Sequence, residues 1–305
     1  MDTSTALADL SAAARTASAA SSASTVAIGR RGRGTGIVVA EDRVLTNAHN
    51  LRDRTTQVTF ADGRAVQGRV VGADPDHDLV VLAVETDGAP ALAWSETDLE
   101  VGDAVFASAR GTRGHRVTFG LVSSSDRSFR GPRGRRVRGA VEHTAPLARG
   151  SSGGPLLDAD GRLVGINTAR LGEGFYLAQP ADAELRDRVD QLTAGKHLGG
   201  RRLGVAIVGP DETTRLRRRV GLPDQDGLLI RGVVPDSPAD EAGLGEGDLV
   251  TAVDGTPVRD VDDVWDALDA AGDTVELTVQ RGSEARTVTV SFAEPEAGST
   301  ESDDS

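Results

Sequence analysis

The sequence predicts a mostly β protein of two folded units, with an N-terminal arm before them and an acidic tail after them. Three observations carry this reading. Short valine-rich segments with alternating apolar residues recur from Thr25 to about Ala183, each of strand length and bounded by turn signals. Glycine is abundant, with 37 residues among 305, whereas aromatic residues make up only 3%. Near residue 200 the local grammar changes, and capped helices begin to alternate with strands.

Residues 1–23 are rich in Ala, Ser and Thr and lack the basic start and apolar core of a signal peptide. They are expected to form a flexible N-terminal arm, either a loose helix or disordered, and the protein is expected in the cytoplasm. No run of about 18 apolar residues occurs, so no membrane-spanning helix is expected. From residue 24 to 183, the segments TVAIG, GIVVA, RVLTNA, TQVTF, GRVVGA, LVVLAV, RVTFGLVS and GFYLAQ read as strands. LLDADGRLVGI reads as a hairpin turning at Asp160-Gly161. Strands this frequent without intervening helices suggest a barrel or a sandwich. Residues 184–199 are charged and helix-like and read as a linker.

The second unit spans residues 200–293. Ser237 is a helix cap followed by Pro238, where a missing amide costs nothing. Asp240 and Glu241 suit the positive end of that helix, and Gly243 can stop it. DLVTAV runs into an Asp254-Gly255 turn, and VDDVWDALDAAG places Val261, Val264, Leu268 and Ala271 on one helical face. TVELTV and RTVTVSF make a last hairpin around Arg281-Gly282. Residues 294–305 carry five acids and no base, which predicts a disordered tail.

Cysteine is absent, so disulfides and thiolate metal sites are excluded. The net charge of −13 argues against a nucleic-acid partner, which needs a basic surface. Lys196 is the only lysine among 34 basic residues, and an acidic, arginine-rich surface of this kind suits a salt-loving organism. No metal-ligand cluster or phosphate loop is recognisable, so no cofactor is expected.

The chemistry concentrates in RGSSGGPLL, residues 149–157. The apolar run after it needs burial, so this stretch is a loop between strands rather than a linker, with a serine exposed on it. A serine needs a histidine base and an orienting carboxylate to become a nucleophile. His49 ends RVLTNAH. Asp78 opens the apolar strand DLVVLAV, with Asp74 and Asp76 in the preceding turn as weaker choices. His77 and His115 read as surface residues and His143 as structural.

LTNAH, HDLVVL and GSSGGPLL…GRLVGINTA, in this order, resemble the chymotrypsin-fold serine proteases of the HtrA family. RRLGV through SPADEAGLGEGDLVTAVDG resembles the PDZ domain that follows the protease there. The resemblance covers residues 24–293 and implies a chymotrypsin-like double β-barrel followed by a small α+β PDZ domain. It implies Ser152 as nucleophile, His49 as general base and Asp78 as its orienting partner. The amides of Gly150 and Ser152 would form the oxyanion hole, Leu147 would line the specificity pocket, and Thr168, Ala169 and Arg170 would pair with substrate. In the second unit Leu203, Gly204 and Val205 would hold a C-terminal carboxylate beside a helix bearing Val264 and Leu268.

The function so implied is endoproteolysis of unfolded or damaged proteins through an acyl-enzyme, with C-terminal peptides held at the PDZ domain. The rival reading is a catalytically silent PDZ scaffold or chaperone. The family pattern departs at Ser151, Thr144 and Arg149, all near the oxyanion loop. The resemblance also implies a homotrimer built through the N-terminal segment by aromatic contacts, yet residues 1–59 contain no aromatic. Six arginines between Arg127 and Arg138 form a basic cluster, expected as a solvated surface loop.

Overall fold

The alternating segments of the first unit close into two six-stranded barrels. The structure, a computed structural model, describes residues 3–131, 134–172 and 174–292. The chain divides into two units, Met1–Gly199 and Gly200–Ser305. The tail expected at 294–305 and Arg133 of the arginine cluster lie outside the described residues.

In the first barrel, β1 (Thr25–Ile28), β2 (Gly34–Ala40), β3 (Arg43–Asn47), β4 (Thr55–Thr59), β5 (Ala65–Asp74) and β6 (Leu79–Ala83) run in the order β1-β2-β3-β6-β5-β4. In the second, β7 (Ala104–Gly111), β8 (Gly114–Arg130), β9 (Arg136–His143), β10 (Pro155–Leu157), β11 (Leu163–Arg170) and β12 (Tyr176–Pro180) run in the order β10-β11-β12-β9-β8-β7. Closure removes the exposed edges that an open sheet of this composition would present.

The period-two pattern explains why several strands read as unbroken apolar runs. Val44, Val80 and Leu82 pack inside the first barrel with Val26, Ile28, Val38 and Val58. Their neighbours Leu45, Leu79 and Val81 face the other way, into a core shared with Phe106, Leu157, Leu163 and Ile166 of the second barrel. Leu156 and Val164 point into that second barrel. Both faces of the central strands are therefore buried, and each such side chain contributes about 1.5–3 kcal/mol.

The N-terminal arm and the helix-like segment after the second barrel both pack on the barrels. The presumed flexible arm forms helix α1 (Thr3–Ser22), with Ala17 and Ser21 fully buried. Its C-terminal end is held by buried Arg110, which donates to the carbonyls of Ser22 at 2.5 Å and Thr25 at 2.7 Å. A cation is stabilising at this end of a helix, where carbonyls lack partners. The presumed linker begins with α2 (Ala183–Thr193), capped by Asp182, whose side chain accepts from the Leu185 amide. Leu185, Val189 and Leu192 recur at helical spacing and join the core between the barrels. Gly72 permits this docking, because a Cβ there would lie 2.1 Å from the Leu192 carbonyl oxygen.

In the second unit β13 (Val205–Val208), β14 (Leu228–Val233), β15 (Asp248–Val253), β17 (Thr274–Arg281) and β18 (Glu284–Ser291) form a sheet in that order, with β16 (Thr256–Pro257) paired to β15. Ser237 caps α4 (Pro238–Glu241) by accepting from the Asp240 amide. The helix α5 (Val261–Ala270) starts with a capping box between Asp260 and Asp263. The sequence reading passed over α3 (Pro210–Arg219), although acids in its first turn and arginines in its last mark a helix.

Candidate active site

β3 and β6 are neighbouring strands, and their pairing of Asn47 with Leu79 brings the residues just beyond both strand ends together. His49 does not extend β3 but sits in a 3-10 turn, Ala48–Asn50. The chain turns there because the Asp78 carbonyl accepts from the Ala48 amide at 2.9 Å and from Asn47 Nδ2 at 3.0 Å. Asp78 itself adopts a left-handed backbone, with φ of 59°. Such a conformation is strained in a residue with a side chain and is here fixed by its partners.

The Asp78 carboxylate is 2% exposed and accepts three bonds. Oδ1 accepts from the His49 amide at 2.9 Å. Oδ2 lies 2.6 Å from His49 Nδ1 and accepts from Thr168 Oγ1 at 3.3 Å. Nδ1 therefore carries the proton, which leaves Nε2 as the acceptor of the neutral ring. Asp74 is committed elsewhere, at 2.9 Å from His77 Nδ1 and 2.5 Å from Arg188. These partners hold its carboxyl below the usual range although burial opposes this. Asp76 faces Arg135 of the arginine hairpin at 3.7 Å. Of the three aspartates, Asp78 is the one on His49.

Ser152 lies in the loop between β9 and β10. Its carbonyl accepts from the Thr35 amide and from Asn50 Nδ2, each at 2.9 Å, so the first barrel fixes its backbone. Gly153 has φ of 83°, and a Cβ there would stand 2.3 Å from the Thr35 carbonyl oxygen and 2.5 Å from Thr46 Oγ1. Only glycine fits both constraints. The Gly150 carbonyl is held by Thr35 Oγ1 at 2.8 Å. Among the described residues, the amides of Gly150 and Ser152 have no protein acceptor. The Ser152 hydroxyl donates to the Thr168 carbonyl at 3.2 Å and makes no bond to His49.

A cleft of about 200 Å³ gathers Leu147, Gly150, Ser152, Thr168, Ala169 and Arg170. It also includes Tyr176, which the sequence reading did not single out. Tyr176 stacks on His143 at 5.9 Å. Burial pushes the His143 imidazole down to about 4, against the hydrogen bond with Asn167 Oδ1, so this histidine is neutral and structural. His115 is half-buried rather than at the surface, between Ser108 and Ser21 of α1. His77 is likewise tied into the Asp74–Arg188 network.

The departures near the loop are all accommodated. Thr144 Oγ1 accepts from the Leu121 amide at 3.0 Å, the buried Ser151 donates its amide to Ala148, and Arg149 is exposed. The described arginines of the cluster lie on the hairpin between β8 and β9, where Arg127, Arg130, Arg136 and Arg138 are exposed and Arg127 meets Glu142 at 3.0 Å.

In the second unit, Leu203 and Gly204 lead into the edge strand β13, and their carbonyls accept from Ala239 and Val234. Their amides have no acceptor among the described residues. Gly204 has φ of 83°, and a Cβ would meet Ser237 Cβ at 2.3 Å. Val205 opens β13 and is partly buried. Val264 and Leu268 turn into the core of this unit, while Val261 and Trp265 are half-exposed on the same helix.

The family described as trypsin-like peptidase domain matches residues 34–166, and the PDZ domain family matches residues 229–281. The chain is 32% identical over 281 residues to "Putative serine protease HhoA" of Synechocystis sp., covering 86% of this chain and 71% of that one. It is 31% identical over 280 residues to "Serine protease HTRA1" of Xenopus tropicalis, covering 86% and 60%. The chain thus spans about two thirds of the length of the curated relatives it matches. The solved structure "HtrA-type protease AlgW with decapeptide" shares the fold, with a TM-score of 0.63 and 23% identity over 91% of this chain and 97% of that one. Two barrels with His49, Asp78 and Ser152 at their junction, then a PDZ unit, place this chain in the family of HtrA-type trypsin-like serine proteases.

Proposed function

We propose that the chain is a serine endopeptidase acting on unfolded polypeptides, with Ser152 as nucleophile and the second unit holding C-terminal peptide segments. The observation that carries this is the contact of His49 with buried Asp78 beside Ser152, whose loop leaves the amides of Gly150 and Ser152 without an acceptor among the described residues. The reaction begins when the Ser152 hydroxyl turns from the Thr168 carbonyl to His49 Nε2. As Oγ bonds to the scissile carbonyl carbon, Nε2 takes the hydroxyl proton and Asp78 stabilises the imidazolium. The carbonyl oxygen becomes an anion facing the Gly150 and Ser152 amides, each worth about 2.7–4 kcal/mol in comparable sites.

Collapse then breaks the C–N bond, and the departing amine takes its proton from His49. Water, deprotonated by the same imidazole, releases the acyl group and restores Ser152. Substrate pairs with Thr168, Ala169 and Arg170 at the end of β11 and presents a small aliphatic side chain to Leu147. The free amides of Leu203 and Gly204 suit a terminal carboxylate, with β13 open for strand addition.

Labelling by a fluorophosphonate probe, compared with Ser152→Ala, tests the nucleophile. Labelling that disappears in the variant supports it, and a wild type without labelling in any salt or with unfolded casein present returns the protein to a PDZ scaffold. An apolar C-terminal peptide should bind in the micromolar range, and equal binding of its amidated form would refute the carboxylate site. A homotrimer, a halophilic source and a cytoplasmic location belong to the same proposal, tested by sedimentation, by stability against KCl and by fractionation.

A further inference from the structure

A second cleft, of about 430 Å³, shares Ala148–Ser151 with the first but opens toward the turns joining β1 to β2 and β7 to β8. Arg31, Arg113, Arg116 and Arg149 border it, all exposed. Among the described residues none of these four side chains makes a hydrogen bond or ion pair. Beneath them lies Arg110, whose guanidinium meets the carbonyls of Ser22 and Thr25 and no carboxylate. The residues lining this cleft include these five arginines and no acid, whereas Arg127, Arg188 and Arg281 elsewhere each meet one. Arginines gathered without acids, in a chain with 47 acidic and 34 basic residues, make a local field opposite in sign to the net charge.

The position of this cleft says what it faces. A Cβ on Gly150 would lie 2.5 Å from the Gly32 carbonyl oxygen, so the β1–β2 turn abuts the loop that carries the free amides. On the proposed reading of Ser152, the substrate residues before the cut bond lie along Thr168–Arg170. The residues after it must leave on the other side of Gly150, toward Gly32 and the arginines. We infer that the arginine cleft binds the acidic stretch of the substrate that follows the cut bond, so that the enzyme selects bonds standing before Asp- and Glu-rich sequence.

The test uses two internally quenched peptides identical before the cut bond. After it, one carries three acids and the other their amides. Both are assayed on wild type and on the combined Arg31→Gln, Arg113→Gln, Arg116→Gln variant, with each enzyme titrated by fluorophosphonate. Arg149 is left in place because it also lines the Leu147 cleft. At the lowest salt that keeps the protein folded, kcat/KM for the acidic peptide should exceed that for its twin on the order of tenfold. The ratio should fall toward one in 1 M KCl, where the Debye length is about 3 Å, and in the variant. Equal kcat/KM at low salt, or an unchanged ratio in the variant, overturns the inference.

Anisotropy of the same two sequences, each carrying a single fluorophore and no quencher, on Ser152→Ala reads the cleft without turnover. There the acidic peptide should bind several-fold more tightly and lose that margin when the three arginines are replaced. Equal binding would end the proposal. An unlabelled wild type, by contrast, would end the endopeptidase reading on which it rests.

Discussion

Replacing Asp78 by Asn tests the electrostatic logic of the site while keeping its shape. Asn tolerates the left-handed backbone that Asp78 adopts, so the turn survives. The carboxylate, however, accepts from two directions, the His49 amide at 2.9 Å and Nδ1 at 2.6 Å. An amide side chain has one oxygen. If that oxygen faces Nδ1, its NH2 confronts the His49 N–H, and a buried donor left without acceptor costs about 1–3 kcal/mol. If the NH2 faces Nδ1 instead, the ring must carry its proton on Nε2, and the base that Ser152 needs is lost. The negative charge opposite the imidazolium is lost either way.

Together these effects should lower the second-order rate of fluorophosphonate labelling and of casein cleavage by roughly 10⁴-fold. That corresponds to about 5.4 kcal/mol of transition-state stabilisation. Circular dichroism should show the fold intact. Activity within tenfold of wild type, in a folded variant, would refute the assignment of Asp78 as the orienting group.

Gly153→Ala should destabilise the first unit by about 3 kcal/mol, because its Cβ would overlap the Thr35 carbonyl and Thr46 Oγ1 at positive φ; urea unfolding gives the value, and a loss below about 0.5 kcal/mol contradicts the geometry. His143 is held neutral by burial, with its value lowered to about 4. Its contribution is present above the unfolded value of about 6.5 and is lost as the pH falls toward 4, by about 3 kcal/mol in all. Unfolding free energies at pH 7, 5.5 and 4 should therefore fall more steeply in wild type than in His143→Gln. Asp248 is buried beneath Arg281 at 2.7 Å and Arg286 at 3.1 Å, and these partners hold its carboxyl low although burial opposes this. Asp248→Asn should destabilise the second unit by about 2–4 kcal/mol, read from hydrogen exchange of β15 amides; unchanged protection would show the pairs to be inert.

Much of the site was legible because its signals are local. A serine between glycines, flanked by apolar strands, can be recognised from nine residues, and Leu79 to Leu82 announce a buried strand whatever surrounds them. Asp78 was preferred over Asp74 and Asp76 because it touches that strand, and the structure brings it to His49 through the pairing of β3 with β6. Tyr176 escaped notice because an aromatic within a strand has no local feature that separates a cleft wall from a core residue. That the Ala-rich arm and the helix-like linker pack on the barrels is not legible in the same way. α1 has a weak apolar face, and it is held by Ala17 in the core between the barrels and by Arg110, some 90 positions further along the chain. For α2, the decisive contact is the close approach to Gly72.

Sequence alone singled out His49, Asp78 and Ser152 as candidates and determined the period-two pattern that makes strands, since both depend on residue type and spacing. Tertiary structure decided how the pattern is used. Closing two barrels buries both faces of β3 and β6 and brings residues 49, 78 and 152 together. It also fixes which amides stay unpaired, where the Ser152 hydroxyl points and which arginines are left without an acid. These are properties of the space between distant segments, and no single segment encodes them.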